Sequence, residues 1–137
     1  MMKNTTLMTE QVLDKIDQMC QVLYTNYQSS SIERHRKSIE NDINMDYHQK
    51  MIEELAMGEG CYKFSYVKGR KYAKIVMQTP AGQKSVHAFV DITNGDVYKP
   101  ATWKAPAKNG VRYNLMDEKS RMEMYQRADW AGGYLYK

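Results

Sequence analysis

The chain has 137 residues, of which 42% are hydrophobic and 26% are charged, and its formal net charge is +4. These values are typical of one globular domain with a single core, and no apolar run approaches the roughly 20 residues of a membrane span. The N-terminus lacks the apolar region of a signal peptide. Cys20 and Cys61 stand in no metal-binding or redox spacing, which favours free thiols in a reducing cytoplasm. We therefore expect a single domain, 1–137, with no membrane, metal or cofactor.

The charge is divided along the chain. Residues 1–60 carry 6 basic and 10 acidic side chains, whereas residues 61–112 carry 10 basic and 2 acidic side chains. Such separation produces a directional field that favours an anionic partner at the basic end. The alternative is that the two regions attract each other within the fold.

The first 60 residues show the apolar spacing of helices. Apolar residues three and four apart predict an amphipathic helix over 9–27, with Thr9 as its N-cap. The polar run 28–31 predicts a break, and a second helix follows over about 32–57 and ends at Gly58. Poor helix formers predict a bend or a break within this second helix, at Asn41, Asp42, Asn44 and Asp46.

From residue 61 the apolar period changes to two. Strands are predicted at 61–68, 71–78, 84–92 and 96–100, the last two joined by the hairpin signal Asn94-Gly95. A loop over 101–114, a short helix from Asp117 to about Ala128 and a tail complete the chain. The predicted fold class is therefore α+β: two N-terminal helices packed on a small antiparallel β-meander of about four strands, followed by a short C-terminal helix.

Alternation along these strands predicts two different sheet faces. We expect an apolar face against the helices, formed by Ala73, Ile75, Met77, Val86, Ala88 and Val90. We expect a mixed face on the other side, formed by Tyr72, Lys74, Val76, His87, Phe89 and Asp91. A two-residue loop at Asn94-Gly95 would place Asp91 opposite Tyr98 on this mixed face.

A basic segment with a lone tryptophan continues from the mixed face. Single-stranded nucleic acid is held by cations along its phosphates and by bases stacked on aromatic rings. The predicted binding residues are Lys74, His87, Tyr98, Lys99, Trp103, Lys104, Lys108 and Arg112. The segment lacks the motifs of the common RNA-binding modules. The alternative is that Trp103 is a buried plug between the sheet and the C-terminal helix, and that the lysines are merely solvated.

Evidence for an enzyme is weaker. His87, Asp91 and Tyr98 would suit metal-free phosphodiester cleavage by general acid–base chemistry if they converged on one face. A lone histidine on a strand is more often a packed residue. His35 belongs to a highly charged helical stretch that indicates a solvated face, and the sequence identifies no partner for His48. The chain lacks the common nucleotide-binding, hydrolase and metalloprotease motifs. We therefore expect no catalytic residue and no metal site.

The sheet and C-terminal regions also carry a longer string of recognisable segments, at 85–91, 95–101, 103–104, 106–108, 111–117 and 127–136. Through these segments, residues from about 72 to 137 resemble a small protein family encoded by tailed bacteriophages. The resemblance implies a phage product in the cytoplasm of the infected bacterium. No activity is assigned to that family, so the resemblance implies no functional residues.

Together these observations predict a non-enzymatic phage accessory protein. It would bind an anionic partner, a single-stranded nucleic acid or a nucleotide, through the basic aromatic sheet and loop. One alternative is an inhibitor of a host or defence protein that acts through the acidic helices, including Asp14, Asp17, Glu40 and Asp42. A second alternative is a small metal-free nuclease that uses His87. The helical half is also compatible with a homodimer.

Overall fold

The computed structural model describes residues 2–41, 43–108 and 110–136, and its fold class is α+β, as predicted. No helix in these ranges combines the length and the apolar character needed to cross a membrane. In chain order, the elements are α1 (Met2–Glu40), α2 (Met45–Ala56), β1 (Lys63–Lys68), β2 (Tyr72–Gln78), β3 (Lys84–Asp91), β4 (Asp96–Tyr98), β5 (Tyr113–Asn114), α3 (Glu118–Arg127) and a 3₁₀ turn (Gly133–Leu135).

The strands form one sheet in the order β1-β2-β3-β4-β5, and every neighbouring pair is antiparallel. This order confirms the predicted meander. The sheet has a fifth strand inside the predicted loop 101–114, where Tyr113 pairs with Val97 of β4. A strand of only two residues carries no recognisable alternation, so its formation depends on pairing with β4.

Helix α1 runs without interruption through the predicted break at 28–31, and that prediction is wrong. One tertiary contact and one contact within the helix support α1 at this point. The Gln28 side chain donates a hydrogen bond of 2.7 Å to the Leu55 carbonyl, and buried Ser31 accepts one from Arg34. The predicted bend or break further along the chain is confirmed, since the chain turns at Asn44, which adopts the left-handed conformation with φ 45°. The predicted helix over 32–57 is therefore two helices, and Asp42 lies outside the described residues.

The main core lies between α1 and the sheet. Four α1 side chains with no exposed surface, Val12, Ile16, Met19 and Leu23, belong to the same cluster as Ile75 and the other apolar residues of the sheet. Burying each such side chain contributes about 1.5–3 kcal/mol. The first predicted helix thus packs on the sheet, whereas α2 packs on the second half of α1 and fully buries only Leu55.

A β-bulge changes the predicted sheet faces near His87. Ile75 pairs with Ala88, but Val76 pairs with Val86, so His87 is an extra residue of β3. His87 is only 6% exposed, and its ring meets the edge of Phe64 at 5.9 Å. The prediction that His87 shares the mixed face with Lys74 is therefore wrong, because strict alternation does not allow for a bulge.

The turn between β3 and β4 is longer than predicted. Phe89 pairs with Tyr98, so the predicted position of Asp91 opposite Tyr98 is wrong. The cause is local, because Asp91 Oδ1 accepts hydrogen bonds from the amide and the hydroxyl of Thr93 at 2.9 and 2.6 Å. Such side-chain capping favours a four-residue turn. Gly95, with φ 86°, closes the turn by donating to the Asp91 carbonyl at 2.8 Å.

Candidate nucleic-acid interface

The sheet face opposite α1 carries a cluster of cations and rings, which we call the basic aromatic surface. A shallow cavity of about 300 Å³ lies within it, between the β1–β2 turn and the loop that follows β4. The surface consists of Arg70, Lys71, Tyr72, Lys74, Phe89, Tyr98, Trp103 and Lys104.

Three rings form the floor and one wall of this surface. The Tyr72 ring stands edge-on to Phe89 and to Tyr98, at centroid distances of 6.2 and 6.1 Å. Such edge-to-face contacts fix the rings relative to one another. Burial raises the pKa of Tyr98, and the charges of Asp96 and Asp91 add to the effect, so its hydroxyl remains protonated and able to donate a hydrogen bond.

The loop after β4 is held in a closed shape by its own backbone. The Ala107 amide donates to the Lys99 carbonyl at 2.8 Å, and the Ala101 amide donates to the Ala105 carbonyl at 3.0 Å. Thr102 Oγ1 accepts from the amides of Lys104 and Ala105, both at 3.2 Å. Residue 103 is therefore presented at the tip of a structured loop.

Trp103 is 46% exposed, so the alternative that it is a buried plug is wrong. The Lys74 ammonium lies 4.0 Å from the centre of its ring, which is a close cation–π contact. The second tryptophan is the one that packs against a core cluster, although it is only partly buried. Trp130 packs edge-on against Tyr27 and Tyr62, at centroid distances of 5.2 and 5.6 Å.

The structure brings together Lys74, Tyr98, Trp103 and Lys104 of the predicted binding residues, and it places the other four elsewhere. The Lys99 ammonium lies 4.7 Å from the Tyr136 ring, on the side of β4 away from Tyr98. Lys108 is exposed on the loop. Arg112 is half-buried just before β5, where its amide donates to the Val97 carbonyl.

His87 belongs to the interior and not to this surface. Its Nε2 lies 2.8 Å from the Tyr134 hydroxyl. Burial lowers the pKa of His87 to about 4, against the opposing effects of Asp129 and a hydrogen bond with the Trp130 backbone. The ring is therefore neutral at physiological pH.

The three weak catalytic candidates do not meet. His87 lies on the helix-facing side of the sheet, and Tyr98 contacts Tyr72 on the outer face. Asp91 accepts hydrogen bonds from Thr93 in the turn. Among residues 2–41, 43–108 and 110–136, no group of three or more His, Cys, Asp and Glu side chains is placed to hold a metal ion. This arrangement provides no assembled acid–base pair.

Two cations of the surface were absent from the predicted binding set. Arg70 and Lys71 lie in the tight β1–β2 turn, where the Gly69 amide donates to the Tyr72 carbonyl at 2.8 Å. The Lys71 ammonium lies 5.4 Å from the Tyr72 ring. Both residues directly precede Tyr72, which is predicted on the mixed face, and this position in the sequence is the pattern that indicates them as binding residues.

The ion pairs in the described ranges lie on helices and include no residue of the basic aromatic surface. The nearest acids are otherwise engaged, since Asp96 accepts a hydrogen bond of 2.7 Å from Asn114 and Asp91 is bound to Thr93. The cations of this surface therefore form no ion pair with a carboxylate of the described residues.

A family model described as "Family of unknown function (DUF7717)" matches residues 1–137. The chain belongs to this family. No curated protein and no solved structure matches the chain. Because the DUF7717 description names no activity, a function for this member has to be argued from its own residues.

Proposed function

We propose that the protein is a non-enzymatic bacteriophage accessory protein that binds single-stranded nucleic acid through the basic aromatic surface. The observation that carries this proposal is the half-exposed Trp103 ring, presented by a structured loop and flanked by Lys74 and Lys104. Cations that follow phosphates and rings that stack on bases are the two components of single-strand binding.

A single strand suits this surface better than a duplex. Stacking on Trp103 needs a base whose face is free, and the bases of a duplex are stacked on one another. The surface is formed by strands and tight turns, and no helix of the described chain stands out from it to enter a groove. Base stacking without base-edge readout favours binding with little sequence preference.

The proposed cellular setting is the cytoplasm of an infected bacterium. It is supported by the resemblance of residues 72–137 to a tailed-phage family. Phage replication and recombination expose single-stranded intermediates, so such a partner is consistent with that setting. A free nucleotide carries the same base and phosphate groups as a single strand. A length series of oligonucleotides distinguishes the two ligands, because only binding to a strand should strengthen with length.

The test is binding of a fluorescently labelled oligothymidylate of about 15 nucleotides, a length within the range of known single-strand binding sites. Losing one stacked base costs about 1–3 kcal/mol, so Trp103→Ala should bind about 5- to 150-fold more weakly. Binding should also quench tryptophan fluorescence in the wild type. Trp103→Ala, which keeps Trp130, should lose that quenching.

The matched control is Tyr47→Ala, which removes an aromatic ring of similar exposure from the helical region. This variant should bind like the wild type. The proposal is wrong if Trp103→Ala retains both its affinity and the quenching. It is equally wrong if Trp103→Ala unfolds by circular dichroism, because the ring would then be a structural element.

A protein partner remains the second candidate, and the exposed side chains at the α1–α2 turn favour it. Ile43, Met45 and Tyr47 are each about half exposed there. A pulldown from bacterial lysate that survives nuclease treatment and is lost on charge reversal of Asp14, Asp17 and Glu40 would support an inhibitor acting through acidic helices. Light scattering of the purified protein would distinguish a homodimer. The nuclease hypothesis has no geometric support, because its three residues are separated.

A further inference from the structure

His35 of α1 and His48 of α2 face each other across the helical turn, away from the basic aromatic surface. Their Nδ1 atoms lie 2.6 Å apart, and their ring centres are separated by 4.9 Å. Both side chains are half-buried, so the pair is packed but still accessible to small solutes. The separation of 13 residues matches no metal-binding motif, so no sequence pattern indicates the pair.

The two rings are held in place by several contacts. Tyr47 packs edge-on against both, with centroid distances of 6.1 Å to His35 and 4.9 Å to His48. The turn itself is fixed by a backbone hydrogen bond of 3.0 Å from Ile43 to Ser38. The convergence of the two Nδ1 atoms therefore follows from the packing of α1 and α2.

We propose that His35 and His48 form a two-histidine site for a borderline transition-metal dication such as Zn²⁺ or Ni²⁺. At 2.6 Å one ring donates its Nδ1 proton to the Nδ1 of the other. For both Nδ1 lone pairs to face a metal, the donor ring would release that proton to water and take one up at Nε2, so each ring would bind as the Nε2–H tautomer with no net loss of a proton. Bonds of about 2.0–2.1 Å in tetrahedral geometry separate two nitrogens by about 3.3 Å. Binding therefore requires the rings to move apart by roughly 0.7 Å.

The chemistry of the site selects the class of metal. Imidazole nitrogen suits Zn²⁺, Ni²⁺ and Cu²⁺, whereas Mg²⁺ and Ca²⁺ need several oxygen ligands, and the described chain has no carboxylate cluster here. The remaining coordination positions would hold water or a donor from a partner. The nearby Arg34 guanidinium repels a metal cation at this site. We therefore expect a weaker affinity than that of a four-ligand structural zinc site.

The cysteines do not compete for the metal. Cys20 and Cys61 are buried, and burial raises the pKa of both thiols, to about 12 for Cys20. Thiols bind these metals as thiolates, which these environments disfavour. A metal at the histidine pair would join α1 to α2 and stabilise the helical hairpin.

Calorimetry with Ni²⁺ or Zn²⁺ on untagged full-length protein at neutral pH tests the proposal. We expect one ion per chain and no binding of Mg²⁺. His35→Gln and His48→Gln should each weaken binding by at least about tenfold, since even indirect partners of metal ligands cost that much. Arg36→Gln is the matched control, because it changes an exposed neighbour of His35 that is no ligand, and it should bind as the wild type does.

A measurement on the wild type covers the case in which a variant fails to fold. The chain has three histidines. One equivalent of Zn²⁺ should shift the imidazole NMR signals of two of them and leave the buried His87 unchanged. The proposal is overturned if no ion binds, if both glutamine variants bind like the wild type, or if the two signals do not shift. The contact between the rings would then be a hydrogen bond only.

Discussion

The salt dependence of oligonucleotide binding gives a quantitative test of the basic aromatic surface. Four cations line it, namely Arg70, Lys71, Lys74 and Lys104. If each contacts one phosphate of a single strand, the slope of log affinity against log salt is about −0.7 per contact, or about −2.8 in total. Raising the salt from about 50 to about 200 mM should then weaken binding by about 50-fold.

The double variant Lys74→Gln/Lys104→Gln removes two of these contacts. Its slope should fall to about −1.4, which corresponds to a loss of only about sevenfold over the same salt range. The control Lys84→Gln/Lys119→Gln removes the same charge at the far end of β3 and on α3, and it should keep the wild-type slope. Fluorescence anisotropy at four or five salt concentrations is sufficient. Equal slopes for the two double variants would refute the assignment of the surface, because they would show that only net charge matters.

Two predictions concern stability. An unfolded histidine titrates near pH 6.5, and native His87 has a pKa of about 4, so the unfolded chain binds a proton that the native chain does not. The free energy of unfolding should therefore fall by about 3 kcal/mol as the pH drops from 6.5 to 4, which urea unfolding at several pH values would measure. The variant His87→Asn should lack this contribution to the fall. Gly95→Ala should cost about 1 kcal/mol more than Gly82→Ala, since both glycines have positive φ but only at Gly95 would a Cβ lie 2.9 Å from Met116 Cγ. Equal urea midpoints for the two alanine variants would contradict that reasoning.

Periodicity predicted the order of elements because most of them carry their own signal. The apolar stripe of α1 and the alternation of β1 to β3 are local patterns, and both survive in the fold. The errors occur where a distant residue decides the local structure. Helix α1 continues past residues 28–31 because Leu55 accepts a hydrogen bond from Gln28, and β5 forms because β4 offers it a partner.

The candidate site was also predicted only in part, because some of its features are local and others depend on distant residues. Lys74, Trp103 and Lys104 follow from composition and alternation, and these residues do meet. Sequence could not decide which tryptophan packs against the core, because the choice depends on contacts between Trp130 and the rings of Tyr27 and Tyr62. His87 was misplaced because a single extra residue in β3 reverses the face on which a side chain lies.

The C-terminal segment packs against the helix-facing side of the sheet, and this arrangement supports the choice of the outer face as the candidate site. Asp129 accepts hydrogen bonds from the amides of residues 132–134, which turns the chain so that Tyr134 and Leu135 enter the core beside His87. The tail therefore closes the helix-facing side. On the outer side, Phe89 is buried, whereas Arg70, Lys71, Trp103 and Lys104 stay exposed. Nothing in the packing of the core requires Trp103 to stand in solvent beside Lys74. The Trp103 ring is exposed and has a cation beside it, which is the pairing that the proposed stacking of a base on Trp103 requires.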